Sequence, residues 1–570
     1  MTSPGAEPEG APSEPAATES MSRLLAAAEP RGSRPLGELI ERLEAAGRQP
    51  VVLEASDAGG AGPRPGFGVL RIRGLAFDSR QLLPSCVFVA VSGVHSDGHD
   101  FVAAAAAGGA AAAVVERPVA GAAVPQIVVD DTRRALATAA AWWYGDPSRE
   151  LGIVGITGTD GKTTTSFLAK AVLEAAGIST GMITTAAARV GSLQTANPEH
   201  VTTPEAPQLQ RMLRAMVAAG NEAAVVETTS HGLALNRVAA IAYDVAVFTN
   251  LTHEHLELHG TFEAYRDAKL GLFRRLGEAG PAKRLGRAWP RAGIVNADDP
   301  AAPLFVEAVR GAGARVLTYG YSRSADVRVA GVEEGARSMR VEAVTPRWRG
   351  VVDLRLAGRF NVYNALAAAA LGEALELDPR GVREALAAVG GVPGRMERVD
   401  CGQPFGVVVD YAHSPASLEK VLDVLAPLAS ARGGGLIAVF GSAGERDVQK
   451  RPMMGRIAGE RCRLVVVTDE DPRGEDAMSI IDQIAAGARS AGDRPDLEIV
   501  RIADRRAAIE AAFRGARPGD VVLLAGKGHE QTIIMANGPR PWDERSEAVG
   551  ALRRLGYPGE AGEPRPRGGR

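Results

Sequence analysis

Apolar and polar positions follow two alternating rhythms along most of the chain. Short runs of consecutive apolar residues give way to stretches where apolar residues recur every third or fourth position. LGIVGIT (151–157) reads as a buried strand. The stretch after it puts Phe167, Leu168, Val172 and Ala175 on one helical face, and Gly177 supplies a stop. Leu209, Met212, Leu213, Met216 and Val217 fall at i, i+3, i+4, i+7 and i+8, an amphipathic helix. AAVVET (223–228) and DVAVFTN (244–250) read as further strands. Such β-α alternation predicts a parallel sheet covered by helices.

The last third repeats one pattern. GVVVD (406–410), LIAVF (436–440), LVVVT (464–468) and VVLLA (521–525) read as strands. They are followed at once by YAHSP, GSAGERD, DEDPRGED and GKGHE. Ligands of open parallel sheets bind beyond the carboxyl ends of the strands. Any one of these segments alone is an ordinary βα turn. Four together predict a second ligand face.

Residues 33–146 form a smaller unit with mixed signals, including FDSRQLLPSCVFVAV (77–91) and SDGHDF (96–101). Residues 1–32 are rich in Pro, Ala, Glu, Ser and Gly and carry almost no large apolar residue before Leu24, so disorder is expected there. Met21 is an alternative start. The tail 558–570 is expected to be disordered for the same reason.

Composition narrows the classes. The 570 residues carry a formal charge of −3, which gives no basic footprint for nucleic acid or an anionic membrane. The 67 Gly and 35 Pro exceed the usual share and point to many turns and Gly-rich loops. Cys86, Cys401 and Cys462 lie far apart, which argues for a reducing compartment and against a thiolate zinc site. The longest uncharged apolar run, Phe101–Val115, is short of the roughly 20 residues a membrane span needs. No secretory signal is visible, and the cytoplasm is the expected location.

The strongest chemical signal is GITGTDGKTTT (155–165) at a strand-to-helix junction. Glycines there let the backbone wrap phosphates, and the helix start aims N–H groups at them. Lys162 would reach the outer phosphates and Thr163 would offer a hydroxyl to Mg²⁺. The spacing departs from the plain G-x-x-x-x-G-K-[ST] form, and Asp160 sets a carboxylate close to the anion. In VVETTSHGLALNR (225–237), Glu227 sits where a strand ends and could hold that metal; Thr229, Ser230 and Arg237 could bind an anionic substrate. NLTHEHLELHG (250–260) brings His253, His255 and His259 together, which could read as zinc; the adjacent phosphate loop favours Mg²⁺ with a nucleotide. Lys269 follows in YRDAKLGLF.

GTDGKTTT, ETTSH, NLTHEHLELHG with YRDAK, NADD (296–299), GRFNVYN (358–364), VPGRME (392–397), DYAHSP (410–415) and DEDPR (469–473) occur in the order found in the Mur ligases. From about residue 36 to 557 the chain resembles that family, most of all its members that add a diamino acid to UDP-N-acetylmuramoyl-L-alanyl-D-glutamate. The resemblance implies three α/β domains: a small UDP-sugar-binding domain (33–146), a central P-loop ATPase-like parallel-sheet domain (147–389) and a C-terminal Rossmann-like amino-acid-binding domain (390–557).

It also implies roles. Gly158, Thr159, Asp160, Gly161, Lys162, Thr163 and Thr164 would bind ATP, with Asn296 and Asp299 near the adenine. Arg395, Asp410 and His413 resemble third-domain residues that close over ATP. Thr163, Glu227, His255 and Lys269 would hold Mg²⁺, the lysine as a carbamate, and Lys162, Glu227, His255 and Lys269 would be catalytic. Ser79, Arg80, His99, Thr202, Thr203, Thr229 and Arg237 match contacts to the UDP-muramoyl peptide; the family usually has Ser where Thr229 stands. Arg446, Glu470, Asp471, Arg473, Gly526 and Glu530 match positions that bind the incoming amino acid.

The implied reaction transfers the γ-phosphoryl group of ATP to the D-glutamate γ-carboxylate, and an amine then displaces phosphate from the acyl phosphate. Domain closure is expected to shield that intermediate from water. The partners implied are small-molecule substrates, with no nucleic acid or membrane, and the chain is expected to be a monomer. The selecting segment D-N-P-R of diaminopimelate enzymes is here Glu470, Asp471, Pro472 and Arg473. Arg473 suits a second carboxylate, so meso-diaminopimelate is expected. The added charge of Asp471 argues for a bare ammonium, as in lysine or ornithine. Two other readings are a folylpolyglutamate-synthase-like ligase, against which the DSR and DGH segments count, and a non-catalytic nucleotide-binding partner of cell-wall assembly, which would lack an intact phosphate and metal set.

Overall fold

The computed structural model describes residues 14–53, 67–93, 96–199, 201–252, 259–278, 283, 286–335, 338–492 and 494–558. The chain forms two compact units. One comprises Met1–Ala330, Ala343–Gly350 and Tyr363–Ala385; the other comprises Gly331–Glu342, Val351–Val362 and Leu386–Arg570. Nothing in the apolar pattern marks Gly331–Glu342 and Val351–Val362 as part of the second unit.

The first unit begins with a five-stranded sheet. Gly74–Ala76, Cys86–Val89, Ala112–Val115 and Gln126–Val128 run parallel, and Val51–Leu53 closes one edge antiparallel. The helix Thr132–Tyr144 covers it. Asp131 caps its start by accepting from Arg134 N, and Gly145, at φ +74°, ends it. Trp142 and Trp143 of this helix fill the core against Leu36, Leu39 and Leu43.

The larger sheet includes, in spatial order, the parallel strands Thr180–Ile183, Ala223–Glu227, Gly152–Thr157, Val245–Phe248, Ala292–Asn296 and Arg315–Gly320. The strands expected near 151–157, 223–228 and 244–250 are among them. The helix after Gly152–Thr157 spans Lys162–Ala175. Its buried face is rotated from the one the apolar spacing indicated. Ala175 is exposed, whereas Thr163, Thr164, Thr165 and Ser166 are buried beside Leu168 and Val172. Hydrogen bonds let those polar residues go under: Thr165 Oγ1 donates to Asn364 Oδ1 (3.1 Å) and Ser166 Oγ to Lys162 O (2.9 Å).

The disorder expected over residues 1–32 is corrected in part. Glu14–Ala27 is helical, and Met21, Leu25 and Ala28 are buried in the same core as Leu209, Met212 and Met216. Glu29 accepts from Tyr144 Oη at 2.9 Å. Average composition hid a short apolar stripe, Met21, Leu24 and Leu25, which becomes sufficient once another surface is there to receive it.

The second unit holds a sheet in the order Glu397–Arg398, Gly406–Asp410, Val521–Ala525, Leu436–Phe440, Leu464–Val467 and Glu498–Arg501. The last five are parallel. Four are the strands anticipated from their apolar runs. Glu498–Arg501 escaped notice because it is an edge strand with charged ends. No helix among the described residues is long and apolar enough to cross a membrane.

Candidate functional site

The strand Gly152–Thr157 is buried throughout and delivers the chain into a tight loop. Gly158 lies at φ +148° and Gly161 at +82°. A Cβ on Gly158 would stand 1.9 Å from Thr249 Oγ1, and one on Gly161 would stand 2.5 Å from Asn364 Oδ1, so no side chain fits at either position. Asn250 fixes the loop: its carbonyl accepts from Thr159 N (2.8 Å) and its Oδ1 from Asp160 N (2.9 Å). Gly161 begins the helix without a side-chain cap, so the first N–H groups face the loop with no side-chain acceptor from the N-cap.

Two cations meet at one carbonyl. Lys162 Nζ donates to Gly158 O (3.1 Å) and Thr159 O (2.6 Å); Lys269 Nζ donates to Gly158 O (2.7 Å). Lys269 is only 1% exposed and lies 4.4 Å from the centre of the Tyr265 ring. Tyr265 Oη in turn meets Thr159 Oγ1 at 3.0 Å. Two ammonium groups beside one carbonyl oxygen suit an anion.

Hard oxygen donors sit next to them. Thr163 Oγ1 donates to Glu227 Oε2 (2.9 Å), and the same carboxylate accepts from Thr185 N (3.0 Å) and Thr185 Oγ1 (3.1 Å). Glu227 is buried at the end of its strand and makes no salt bridge among the described residues. A carboxylate and a hydroxyl this close match the oxygen preference of Mg²⁺. His255, also expected at the metal, and His253 lie outside the described residues. Among the described residues no group of three His, Cys, Asp or Glu side chains forms a metal cluster.

The expected contacts to the muramoyl peptide largely converge here. Thr203 Oγ1 donates to Glu227 O (3.0 Å) and accepts from Thr229 Oγ1 (3.0 Å). Arg237 donates to Thr203 O (2.9 Å) and pairs with Glu205 (2.6 Å). Thr202 Oγ1 meets Thr185 Oγ1 at 2.9 Å. Ser230 Oγ is buried with no hydrogen-bond partner among the described residues, a polar group open to a ligand. Asn296 and Asp299 support rather than face the loop: Asn296 Nδ2 donates to Thr249 O (2.7 Å), and Asp299 Oδ2 accepts from Leu251 N (2.7 Å).

Ser79, Arg80 and His99 lie in the smaller domain. Arg80 is paired with Asp78 (2.8 Å), and its side chain is 86% exposed. His99 is buried with both ring nitrogens engaged. Glu116 N donates to Nε2 (2.9 Å), which leaves Nδ1 to donate to Asp97 (2.6 Å). Its ring therefore orders the 97–116 region.

The second unit carries its own polar cluster. Asp410 Oδ2 accepts from Met396 N (2.7 Å) and Oδ1 from Ala412 N (2.8 Å). Burial pushes its carboxyl above the usual range, against the pull of Arg395. Arg395 stacks over Tyr411 at 4.6 Å, and His413 Nδ1 donates to Tyr411 O (2.8 Å).

Beyond the neighbouring strands, Lys527 is fully buried between Asp471 (2.8 Å) and Glu530 (2.6 Å). Burial alone would lower the lysine pKa; the two carboxylates overturn that and raise it. Asp471 Oδ1 also accepts from Ile534 N (2.9 Å). Asp471, whose charge argued for a bare ammonium, is therefore paired within the protein, with Lys527 shared between it and Glu530. Glu470 Oε2 and Arg473 Nε are buried with no partner among the described residues. Gly526, at φ +101°, packs against Glu470, and Arg446 stands on an exposed loop.

Thr185, Tyr265 and Lys527 were not among the expected site residues. Lys527, within GKGHE, and Tyr265, within YRDAK, stood in segments that the sequence marked; Thr185 did not.

Residues 71–144 match the family described as Mur ligase family, catalytic domain; 156–372 match the Mur ligase middle domain; 394–528 match the Mur ligase glutamate ligase domain. A UDP-N-acetylmuramyl-tripeptide synthetase of Roseiflexus sp. (strain RS-1) is 48% identical, over 86% of this chain and 96% of its own. A UDP-N-acetylmuramoyl-L-alanyl-D-glutamate--2,6-diaminopimelate ligase of Geobacter metallireducens is 42% identical, over 89% of this chain and 98% of its own. A solved structure of a ligase of that same name aligns with TM-score 0.60 at 29% identity, covering 89% of this chain and 99% of its own. The chain belongs to the Mur ligase family and has its three-domain α/β architecture. Within the family its similarity is to ligases of the tripeptide-synthetase type.

Proposed function

We propose that the chain uses ATP to join a diamino acid, meso-2,6-diaminopimelate, to the D-glutamate γ-carboxylate of UDP-N-acetylmuramoyl-L-alanyl-D-glutamate. The observation that carries this reading is the meeting of Lys162, Lys269, Thr163 and Glu227 around the Gly158–Gly161 loop. A carboxylate is a poor electrophile, so the γ-phosphoryl group is first transferred to it. The amine nitrogen then attacks the acyl carbon, a tetrahedral intermediate forms, and phosphate leaves.

The protein's part is positioning and charge neutralisation. The uncapped helix start and Lys162 hold the triphosphate. Thr163 and Glu227 would hold Mg²⁺, which when bound offsets the charge of the phosphate oxygens. Carbamylation of Lys269 would turn one of two neighbouring cations into an anion and a metal ligand. Thr203, Thr229, Ser230 and Arg237 orient the peptide carboxylate. Arg395, Asp410 and His413 are assigned to nucleotide binding by their match to the family's motifs.

The choice of diaminopimelate is supported by the pairing of Asp471 with Lys527, which weakens the argument for a bare ammonium. Glu470 Oε2 and Arg473 Nε, one acceptor and one donor, suit an amino acid's ammonium and carboxylate. Substrate-dependent phosphate release with diaminopimelate, lysine and ornithine in competition tests it. Diaminopimelate is expected to win; exclusive use of lysine or ornithine overturns the amino-acid assignment. Turnover with folates but not the UDP-muramoyl dipeptide overturns the ligase assignment as a whole.

A further inference from the structure

A cavity of about 980 Å³ lies at the amino ends of the strands Gly152–Thr157, Val245–Phe248 and Ala292–Asn296, the opposite end of the sheet from the phosphate loop. One wall is the smaller domain, with Arg42, Arg48 and Arg134. The other is the large-sheet domain, with Arg275, Lys283, Arg287 and Arg291; Arg149 lies on the link between them. All belong to the first unit. Six residues of strand at about 3.3 Å each put the phosphate loop roughly 20 Å away.

The charge of this cavity is lopsided. Three carboxylates line it: Asp146, Asp244 and Glu278. They pair with Arg42, Lys283 and Arg275, while Arg48 and Arg134 turn to Asp130 and Asp131. Arg287 and Arg291 make no salt bridge among the described residues. Lys283 is lowered first by burial and also by the charges of Arg149 and Arg291, despite Asp244. Arg149 is lowered by burial and by Arg42. Cations that disfavour one another across a cavity gain most from a shared anion.

We infer that this cavity is a second ligand site, separate from the ligase site, for the di- or triphosphate group of a small molecule. Its volume is that of a small-molecule pocket. Its guanidinium groups suit the oxygens of a polyphosphate. Because the walls come from two domains, a bound anion would neutralise both and tie them together.

Calorimetry on the full chain, with the phosphate loop saturated by a non-hydrolysable ATP analogue and Mg²⁺, tests this with inorganic tripolyphosphate and with GTP as probes. One further equivalent of tripolyphosphate is expected to bind, raising the melting temperature and weakening with salt. Equal affinity for both probes assigns recognition to the phosphates alone; tighter GTP binding adds the nucleoside. The double variant Arg287→Ala/Arg291→Ala is expected to weaken binding about tenfold or more, leaving anion-free turnover unchanged. Arg134→Gln, on the facing wall, gives the same reading with a smaller loss should the double variant fold poorly. Absence of a further equivalent, or undiminished binding in these variants, overturns the site.

Discussion

The phosphate loop and the DEDPR–GKGHE region both carry lysines, but they use them differently. Lys162 bonds to two carbonyl oxygens, and Glu227 is held by hydroxyls and an amide rather than by a cation. The charge of Lys162 has no carboxylate partner among the described residues. Lys527, by contrast, is saturated by Asp471 and Glu530, and the nearby Arg505 by Glu544 (2.6 Å). In one region a lysine rests on backbone carbonyls; in the other it is a counter-ion. A charged residue in a motif therefore says little about net charge at a site until its distant partner is known.

Removing Lys162, which we propose holds the triphosphate, sharpens that contrast most. Lys162→Ala is expected to cut turnover about 10³-fold, the scale of losing a charge that stabilises a transition state. The melting temperature should move little, because Lys162 is half-buried and Gly158 O keeps its hydrogen bond from Lys269. A turnover within tenfold of the parent chain would break the comparison.

The counter-ion lysine should behave the other way round. Lys527→Met leaves Asp471 and Glu530 facing one another in a buried place. Stranding buried charge costs about 3 kcal/mol, read as a fall in denaturant midpoint. The loss should ease at acid pH, where Glu530, already pushed up by burial, is protonated. An unchanged midpoint would show that Lys527 is not a counter-ion.

This contrast also separates what could be read along the chain from what could not. The strand runs at 406–410, 436–440 and 521–525 were legible because a strand buried on both faces is continuously apolar. The phosphate loop was legible because its parts are contiguous. Thr185 was not: it reaches Glu227 from 42 residues away, and a threonine at a strand end carries no signal of its own. The Asp471–Lys527 pair spans 56 residues, so the charge of Asp471 was read without its partner. Likewise, Met21 and Leu25 read as disorder until the core that receives them was in view.

Asp469 offers a smaller effect of opposite sign. Burial pushes its carboxyl up to about 6, against the pull of Arg540 and Arg505, and its Oδ1 has no partner among the described residues. A raised acid pKa means the folded state holds the proton more tightly than the unfolded one. Charging Asp469 therefore costs stability progressively between pH 4 and 6, and the full cost is present above 6. Asp469→Asn is expected to stabilise the chain by about 1–2 kcal/mol at pH 7.5, with the gain vanishing near pH 4. Denaturant midpoints across that range check it; a gain that persists at pH 4 would point to packing instead.

The smallest expected effect bears directly on the amino-acid assignment. Asp471 Oδ1 accepts from Lys527 Nζ and from Ile534 N, and an asparagine Oδ1 can accept both. Asp471→Asn removes a negative charge while Lys527 keeps Glu530 at 2.6 Å. If Asp471 is neutralised within the fold, the KM for diaminopimelate should change by no more than about threefold, well under 1 kcal/mol, with no shift in preference against lysine or ornithine. If Asp471 instead reads the incoming side chain, the variant should bind diaminopimelate at least tenfold more tightly than the parent chain, since its second carboxylate would no longer meet a like charge. KM values for the three amino acids, measured in parallel on both chains, decide between an aspartate that belongs to the fold and one that belongs to the substrate.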